Sequence, residues 1–441
     1  MKECMQEPQE EEKEIEIEVS LNNKDIVNIR ETLCMLIAEY MENNVLDYMY
    51  PKYHKNIKET ILHQLEMLYA PILKGIQNIN FNDLVSECIL IYFNVFAQNR
   101  SYVKFKEIKN KKEVASQLRR ISAIPQHEQN TPGWFERRWN LLTASSAWKA
   151  LGSQAMKNSL IYSKCKPIDK SKYTRVNINS ATHHGHKFEP LSTIFYEKMF
   201  NTEITEFGCL PDQYSKILGA SPDGINSKRN NDRYGYLLEV KNPVSRKLTG
   251  IPKLEYWVQM QFQMHVTQLH HCDFLETTFK QYENEENFDA DGDFSKTALG
   301  KPKGIIVCFH DGNKPVYKYP PWDINKNDYE AWYDNTIDDN NTLTWINNTY
   351  WYLSEYSCLT VLYNKKWFEC AIPHFEELWD IVIKERKTGY QHRKAKKRAR
   401  KPPIQSPQTT TMPEMSFGPP LALPPPQMVL KIRTGSFDDF N

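Results

Sequence analysis

Residues 185–200 read GHKFEPLSTIFYEKMF, residues 219–224 GASPDG, residues 236–243 YLLEVKNP and residues 256–266 YWVQMQFQMHV. In the third stretch the period of two along a strand puts Glu239 and Lys241 on one face and turns Leu238 and Val240 to the other, toward a core. Asn242-Pro243 then stops the strand, because proline cannot extend a ladder. A carboxylate and an ammonium side by side at a strand end suit metal binding next to a point charge able to hold an attacking water. Asp223 sits in a Pro-Asp-Gly turn that presents its carboxylate beside that strand end, provided the two segments pair. Glu189 is read near the start of a helix whose apolar stripe is Phe188, Leu191, Phe195 and Met199, with Pro190 tolerated as a first-turn residue. Tyr256, Gln259 and Gln263 fall three and four apart on a second helix, opposite apolar Trp257, Met260 and Met264. Hard oxygen donors of this kind suit Mg²⁺ or Mn²⁺.

Each piece alone has an ordinary explanation. A Glu-x-Lys on a strand is usually a solvated edge pair, a Ser-Pro-Asp-Gly a plain turn, a glutamate near a helix start a response to the dipole, and a glutamine stripe a surface. Their order within one sheet-forming segment is what carries the reading. That order resembles the lambda-exonuclease and YqaJ-type viral recombinase family, including alkaline nucleases of large DNA viruses, over roughly residues 130–280. Upstream, TPGWFERRWNLLTASSAWKALG at 131–152 is similar to the family's opening helix and turn.

The resemblance implies an α/β fold, a PD-(D/E)xK restriction-endonuclease-like core in which a mixed central sheet is flanked by helices. It implies Asp223, Glu239 and the Val240 carbonyl as metal ligands, Glu189 as a ligand of a second ion, and Lys241 as the group that positions the nucleophilic water. Gln259 and Tyr256 complete the site, and Arg138, Ser145 and Ser221 cradle the 5′-terminal phosphate of the strand being digested. The expected cofactor is Mg²⁺ or Mn²⁺, as two ions, and no iron-sulfur cluster is expected, since the nine cysteines are scattered without paired spacing. The expected activity is a 5′-to-3′ DNA exonuclease on duplex ends. The alternatives are an endonuclease of the same fold and a DNA-binding protein on a degenerate one. Double-stranded DNA ends are the expected substrate, with a single-strand annealing or ssDNA-binding protein as companion. A homo-oligomer also belongs among the partners, although the regions without counterpart in the minimal phage enzyme leave the family's ring assembly open.

The remaining chain divides by composition. Residues 1–18 are an acidic tail (EPQEEEKEIEIE at 7–18) unable to order itself, and 19–125 carry helical periodicity. Residues 126–325 hold the expected nuclease core, 326–390 a C-terminal helical extension, and 391–441 a basic run (RKAKKRARK, 393–401) followed by a Pro-rich tail. With a formal net charge of +1, any nucleic-acid contact must come from local patterning of charge rather than from the chain as a whole. No run of about 18 apolar residues occurs, so no membrane partner is expected, and the setting is read as intracellular, with the basic run directing the chain to a host nucleus and the cytoplasm as the alternative. NFDADGDFSK at 287–296 resembles the opening of a calcium loop, but the twelfth position counted from Asp289 is Gly300, so it is read as an acidic loop. His183, His184 and His186 are placed just before the Glu189 helix, in hydrogen-bonding rather than metal-binding roles.

Overall fold

The computed structural model describes residues 21–74, 79–107, 110–127, 131–168, 178 and 180–395. The expected acidic tail, the basic run beyond Ala395 and the Pro-rich tail lie outside the described residues.

The N-terminal part is helical for local reasons that can be named. Asn22 caps the helix Asn23–Asn43 in a reciprocal arrangement with Asp25, and Asn80 and Asn110 cap Phe81–Val95 and Lys111–Ser122 by accepting first-turn amide hydrogens. These helices do not bury their apolar stripes among themselves alone. Leu33, Ile37, Ile57 and Cys88 belong to one continuous buried cluster with Trp257, Phe262, Trp367 and Phe375. The helical region and the sheet region therefore share a core.

Among the described residues the main sheet has seven strands, in spatial order Ile204–Thr205, Gly224–Asn226, Leu237–Lys241, His271–Gln281, Thr344–Leu362, Lys303–His310 and Pro315–Lys318. Only the Leu237–Lys241 and His271–Gln281 pair is parallel, with Lys241 opposite Glu276, and the helix Leu254–Thr267 makes the crossover. A smaller sheet joins Leu142–Thr143, Leu218–Ala220 and Leu210–Pro211. The chain passes from the small sheet to the large one through Ser221-Pro222-Asp223, and Gly224 then pairs with Leu238. At Gly224 a Cβ would lie 2.1 Å from Ile204 Cγ2, so a side chain there would push the neighbouring strand away. The mixed α/β core expected from the motifs is the one observed.

Two sequence expectations are corrected. The helix carrying Glu189 begins at Ala181, capped by Ser180, so Pro190 is in its interior and His183, His184 and His186 are in its first turns rather than before it. Pro190 has no N–H for the His186 carbonyl. The turn around it is held from outside, by Asn242 Nδ2 donating to Gly185 O (3.2 Å) and Tyr319 Oη donating to Lys187 O (2.7 Å). The second correction concerns 326–390, which is not wholly helical. Helices Lys326–Asp339 and Lys365–Thr388 flank a 19-residue strand, Thr344–Leu362, that forms the interior of the sheet. Its period of two is hidden because both faces are apolar: Trp351 and Leu353 pack with Phe188 and Phe195, while Tyr350 packs with Phe288 on the other side. A register shift between Leu353 and Glu355 breaks the alternation further.

Candidate active site

The strand Leu237–Lys241 divides its side chains as its sequence requires. Leu238 and Val240 pack with Tyr196 and Leu275 beneath the Glu189 helix, and Glu239 and Lys241 face the helix Leu254–Thr267. Glu239 is wholly buried. Its Oε1 accepts from Gln259 Nε2 at 2.7 Å and from Lys241 Nζ, and its Oε2 accepts from Gln263 Nε2 at 2.7 Å. The two glutamines are one helical turn apart, so both amides descend on the same carboxylate. Gln263 also donates to Ser221 O at 3.3 Å. In the sequence it shows only as part of a polar stripe, yet it holds the buried carboxylate as directly as Gln259 does.

Asp223 reaches the strand from the turn, and its Oδ2 accepts the Val240 amide hydrogen at 2.8 Å. Burial, then the charge of Glu239 and more weakly that of Glu189, pushes its carboxyl well above the usual carboxylate range, with Lys241 and the Val240 amide opposing. Burial works against the Lys241 ammonium, but Glu239 and Asp223 outweigh it and hold the group above its ordinary value. Lys241 Nζ also stands 5.3 Å from the ring centre of Tyr256, which packs on Phe274. Glu189 is partly exposed, with Oε2 3.8 Å from His186 Nδ1, and the hydrogen bond to Glu189 raises the imidazole's proton affinity.

Among the described residues no three His, Cys, Asp or Glu side chains stand close enough to form a ready-made metal cage. The donor set nevertheless fits a hard divalent cation. Asp223 and Glu239 are gathered at one strand end with Glu189 near enough to act on Asp223, and that negative charge is opposed locally by one ammonium.

The upstream residues converge as well. Arg138 Nη1 donates to Ser221 Oγ (3.3 Å) and Nη2 to Ser145 Oγ (3.2 Å), and the guanidinium lies 4.4 Å over the Trp134 ring. Lys164 fixes the backbone beneath it by donating to Arg138 O and Leu141 O at 2.6 and 2.7 Å. Burial, with Arg138 adding to it, lowers the Lys164 ammonium to about 7. Burial also lowers the affinity of Arg138 for its proton, and no carboxylate among the described residues pairs with it. The Trp134 indole N–H beside it is buried with no acceptor among the described residues. A desolvated cation bonded to Ser221 and Ser145, with an unsatisfied donor on the ring beneath it, suits an anion.

Two further groups carry no sequence signal strong enough to single them out. Asn242 Oδ1 accepts from Ser192 Oγ (2.7 Å) and Thr277 Oγ1 (2.5 Å), which ties the Glu189 helix to the end of the strand. Glu276, opposite Lys241, is buried and paired with Arg246, which in turn lies 5.7 Å from the Tyr256 ring. Two acids inside a largely apolar strand, Asp273 and Glu276, are the available clue, since each such charge demands a partner. Elsewhere His183 Nε2 meets Tyr317 Oη at 2.6 Å, and the acidic loop turns on itself, Asp291 and Asp293 accepting from Ala298 N and Ser295 N.

Residues 133–270 match the family model of the YqaJ-like viral recombinase domain. A protein of Acanthamoeba polyphaga mimivirus, described as uncharacterized, is 30% identical over 305 residues, covering 60% of this chain. The chain spans about half the length of that relative, 54% of it. The crystal structures of an alkaline exonuclease from Laribacter hongkongensis, alone and with dAMP, are 18% identical and match 59% of this chain and 97% of their own, with a TM-score of 0.35. At that score the folds do not superpose closely enough to transfer residues. The segment matched by the family model contains Arg138, Ser145, Glu189, Ser221, Asp223, Glu239, Lys241, Tyr256, Gln259 and Gln263, so the whole of the candidate site lies in the part of the chain that is similar to the YqaJ-like viral recombinase domain.

Proposed function

We propose that this chain is a divalent-metal-dependent deoxyribonuclease that digests duplex DNA from its ends, 5′ to 3′, in viral-type replication and recombination. The observation that carries the reading is the junction at Ser221–Asp223. On one side lies the carboxylate and ammonium cluster of Asp223, Glu239 and Lys241, and on the other the partly buried Arg138 bonded to Ser145 and Ser221. Hydrolytic groups beside an anion-seeking pocket suit an enzyme that holds a terminal phosphate while it cuts nearby.

Asp223, Glu239 and Glu189, with the Val240 carbonyl, would hold one or two Mg²⁺ or Mn²⁺ ions, which supply Lewis acidity at the phosphate and make a bound water easier to deprotonate. The residues of the chain do the rest. Gln259 and Gln263 keep Glu239 in one orientation, so no reorganisation is needed when the substrate arrives. Lys241, held protonated by the two carboxylates, sits where it can orient the attacking water and offset charge growing on the phosphoryl oxygens. Arg138 with Ser145 and Ser221 grips the 5′ phosphate, and Tyr256 packs beside the ammonium. The partners proposed are DNA ends, a single-strand annealing or ssDNA-binding protein, and further copies of the chain.

The test is a time course on end-labelled linear duplex and on covalently closed circular duplex, with Mg²⁺ or Mn²⁺ and with a chelator. Degradation of the linear form alone, lost with chelator, is the expected result; equal cutting of circles would point to an endonuclease. Lys241→Met should lower the rate by about 10²- to 10³-fold while changing the metal concentration for half-maximal activity little, because the ammonium acts on water and phosphate rather than on the ion. A variant restored by raising the metal concentration would move Lys241 from the reaction to metal binding.

We assign the basic run at 393–401 to nuclear import. Removing residues 390–441 should shift a tagged chain from nucleus to cytoplasm, and an unchanged distribution would remove the assignment. No helix among the described residues is long and apolar enough to cross a membrane.

A further inference from the structure

Four cations that the proposed chemistry does not use converge near the beginning of the strand Leu237–Lys241, opposite the end that carries Lys241. Lys111, Ala115 and Arg119 recur every four residues along Lys111–Ser122 and share a face, with Lys112 beside them. The loop that follows Gly224–Asn226 brings Arg229, Asn230 and Tyr234 against that face, and together these residues line an open groove of about 450 Å³. Lys111, Lys112, Arg119 and Arg229 are all exposed, and among the described residues none is ion-paired. Of the nearby acids, Asp232 pairs with Lys106 at 3.2 Å and Glu107 with His271 at 2.6 Å, while Glu113 stands beside Lys112 on the same helix and leaves the cations in excess.

The groove's walls are fixed. Gly235 has φ +79°, and a Cβ there would lie 2.3 Å from Val114 Cγ1, so the loop is seated directly on the helix. Asn231 Nδ2 donates to Phe200 O and Asn201 O, anchoring the loop from behind. Like charges gathered on a rigid frame repel one another, and in a chain of net charge +1 they do not follow from composition. A polyanion relieves that repulsion.

We propose that this groove is a second nucleic-acid contact, which takes the phosphate backbone of duplex DNA away from the end being cut. The choice of DNA as the polyanion rests on the nuclease reading above; the groove itself does not. Leu237, at the groove's end of the strand, is two steps of about 3.3 Å from Glu239 and four from Lys241, so those groups lie roughly 7 to 13 Å away along the strand. That is well within one turn of B-DNA, about 34 Å, so one duplex can reach both.

The test is fluorescence anisotropy of a labelled duplex of about 30 base pairs, titrated in EDTA over roughly 50 to 300 mM salt. Replacing Lys111, Lys112, Arg119 and Arg229 together by glutamine should make the slope of log affinity against log salt shallower by about 3 to 4, and weaken binding at about 0.1 M salt by about tenfold or more. Lys55→Gln with Lys365→Gln, which remove exposed lysines on other helices, should leave the slope unchanged. If the fourfold variant fails to fold, Lys112→Gln with Arg229→Gln is read instead, with an expected change of about 2. An unchanged slope overturns the proposal. So does a polyglutamate peptide that binds the wild-type groove as tightly as duplex of equal charge, since the site would then be one for acidic peptides. Because binding is read in EDTA, absence of cleavage would count against the nuclease reading alone, and an unchanged slope against the groove alone.

Discussion

Asp223→Asn should cut DNA at least about 10³-fold more slowly than the wild type and yet melt at a higher temperature in the absence of metal. The rate falls because an amide cannot replace a carboxylate as a ligand for a hard cation. The stability rises because the wild-type carboxylate is held against burial and against the charge of Glu239, which push its proton affinity well above the usual carboxylate range. A carboxyl whose affinity is raised by folding contributes stability that is fully present below its unfolded pKa and is lost as pH rises through its folded value. The metal-free wild type should therefore lose melting temperature as pH climbs above the ordinary carboxylate range, and Mg²⁺ or Mn²⁺ should restore it. The amide introduced by Asp223→Asn keeps an oxygen to accept the Val240 amide hydrogen and carries no charge, so the variant's melting temperature should vary less with pH and respond less to metal. Thermal melts across pH with and without chelator, beside a cleavage assay, decide the matter. Wild-type cleavage by the variant, or the same pH-dependent loss of stability, would remove Asp223 from the metal site.

Arg138→Ala should erase a preference for 5′-phosphorylated ends and leave the chemistry in place. Charge-assisted hydrogen bonds contribute about 1.5 to 3 kcal/mol, so the wild type should digest 5′-phosphorylated duplex about 10- to 100-fold faster than 5′-hydroxyl duplex. The variant should bring that ratio close to one, by slowing the phosphorylated substrate rather than quickening the other. Arg138→Lys should restore part of the ratio at most, because a single ammonium cannot bond Ser145 and Ser221 together as the two guanidinium nitrogens do. Equal rates on the two ends in the wild type, or an unaltered ratio in Arg138→Ala, would leave the arginine as a structural partner of Trp134 and the two serines.

What the sequence determined by itself is whatever local periodicity and chain direction impose. Glu239 and Lys241 had to share a face because a strand alternates, Gln259 and Gln263 had to share one because they are a helical turn apart, and Phe188, Leu191 and Phe195 had to be buried together for the same reason. Pro222 and Gly224 marked the turn that delivers Asp223, and the order of these motifs was enough to indicate the resemblance to YqaJ-type recombinases. Tertiary structure decided everything that depends on partners distant in the chain. The helix bearing Glu189 extends through Pro190 because Asn242 and Tyr319 hold carbonyls on the turn around it, contacts that no local pattern announces. The strand Thr344–Leu362 does not show itself as a strand because clusters on both of its faces make both faces apolar. Glu276 acquired its place opposite Lys241, and Arg138 its bond to Ser221, only when strands and helices far apart in sequence were packed into one core.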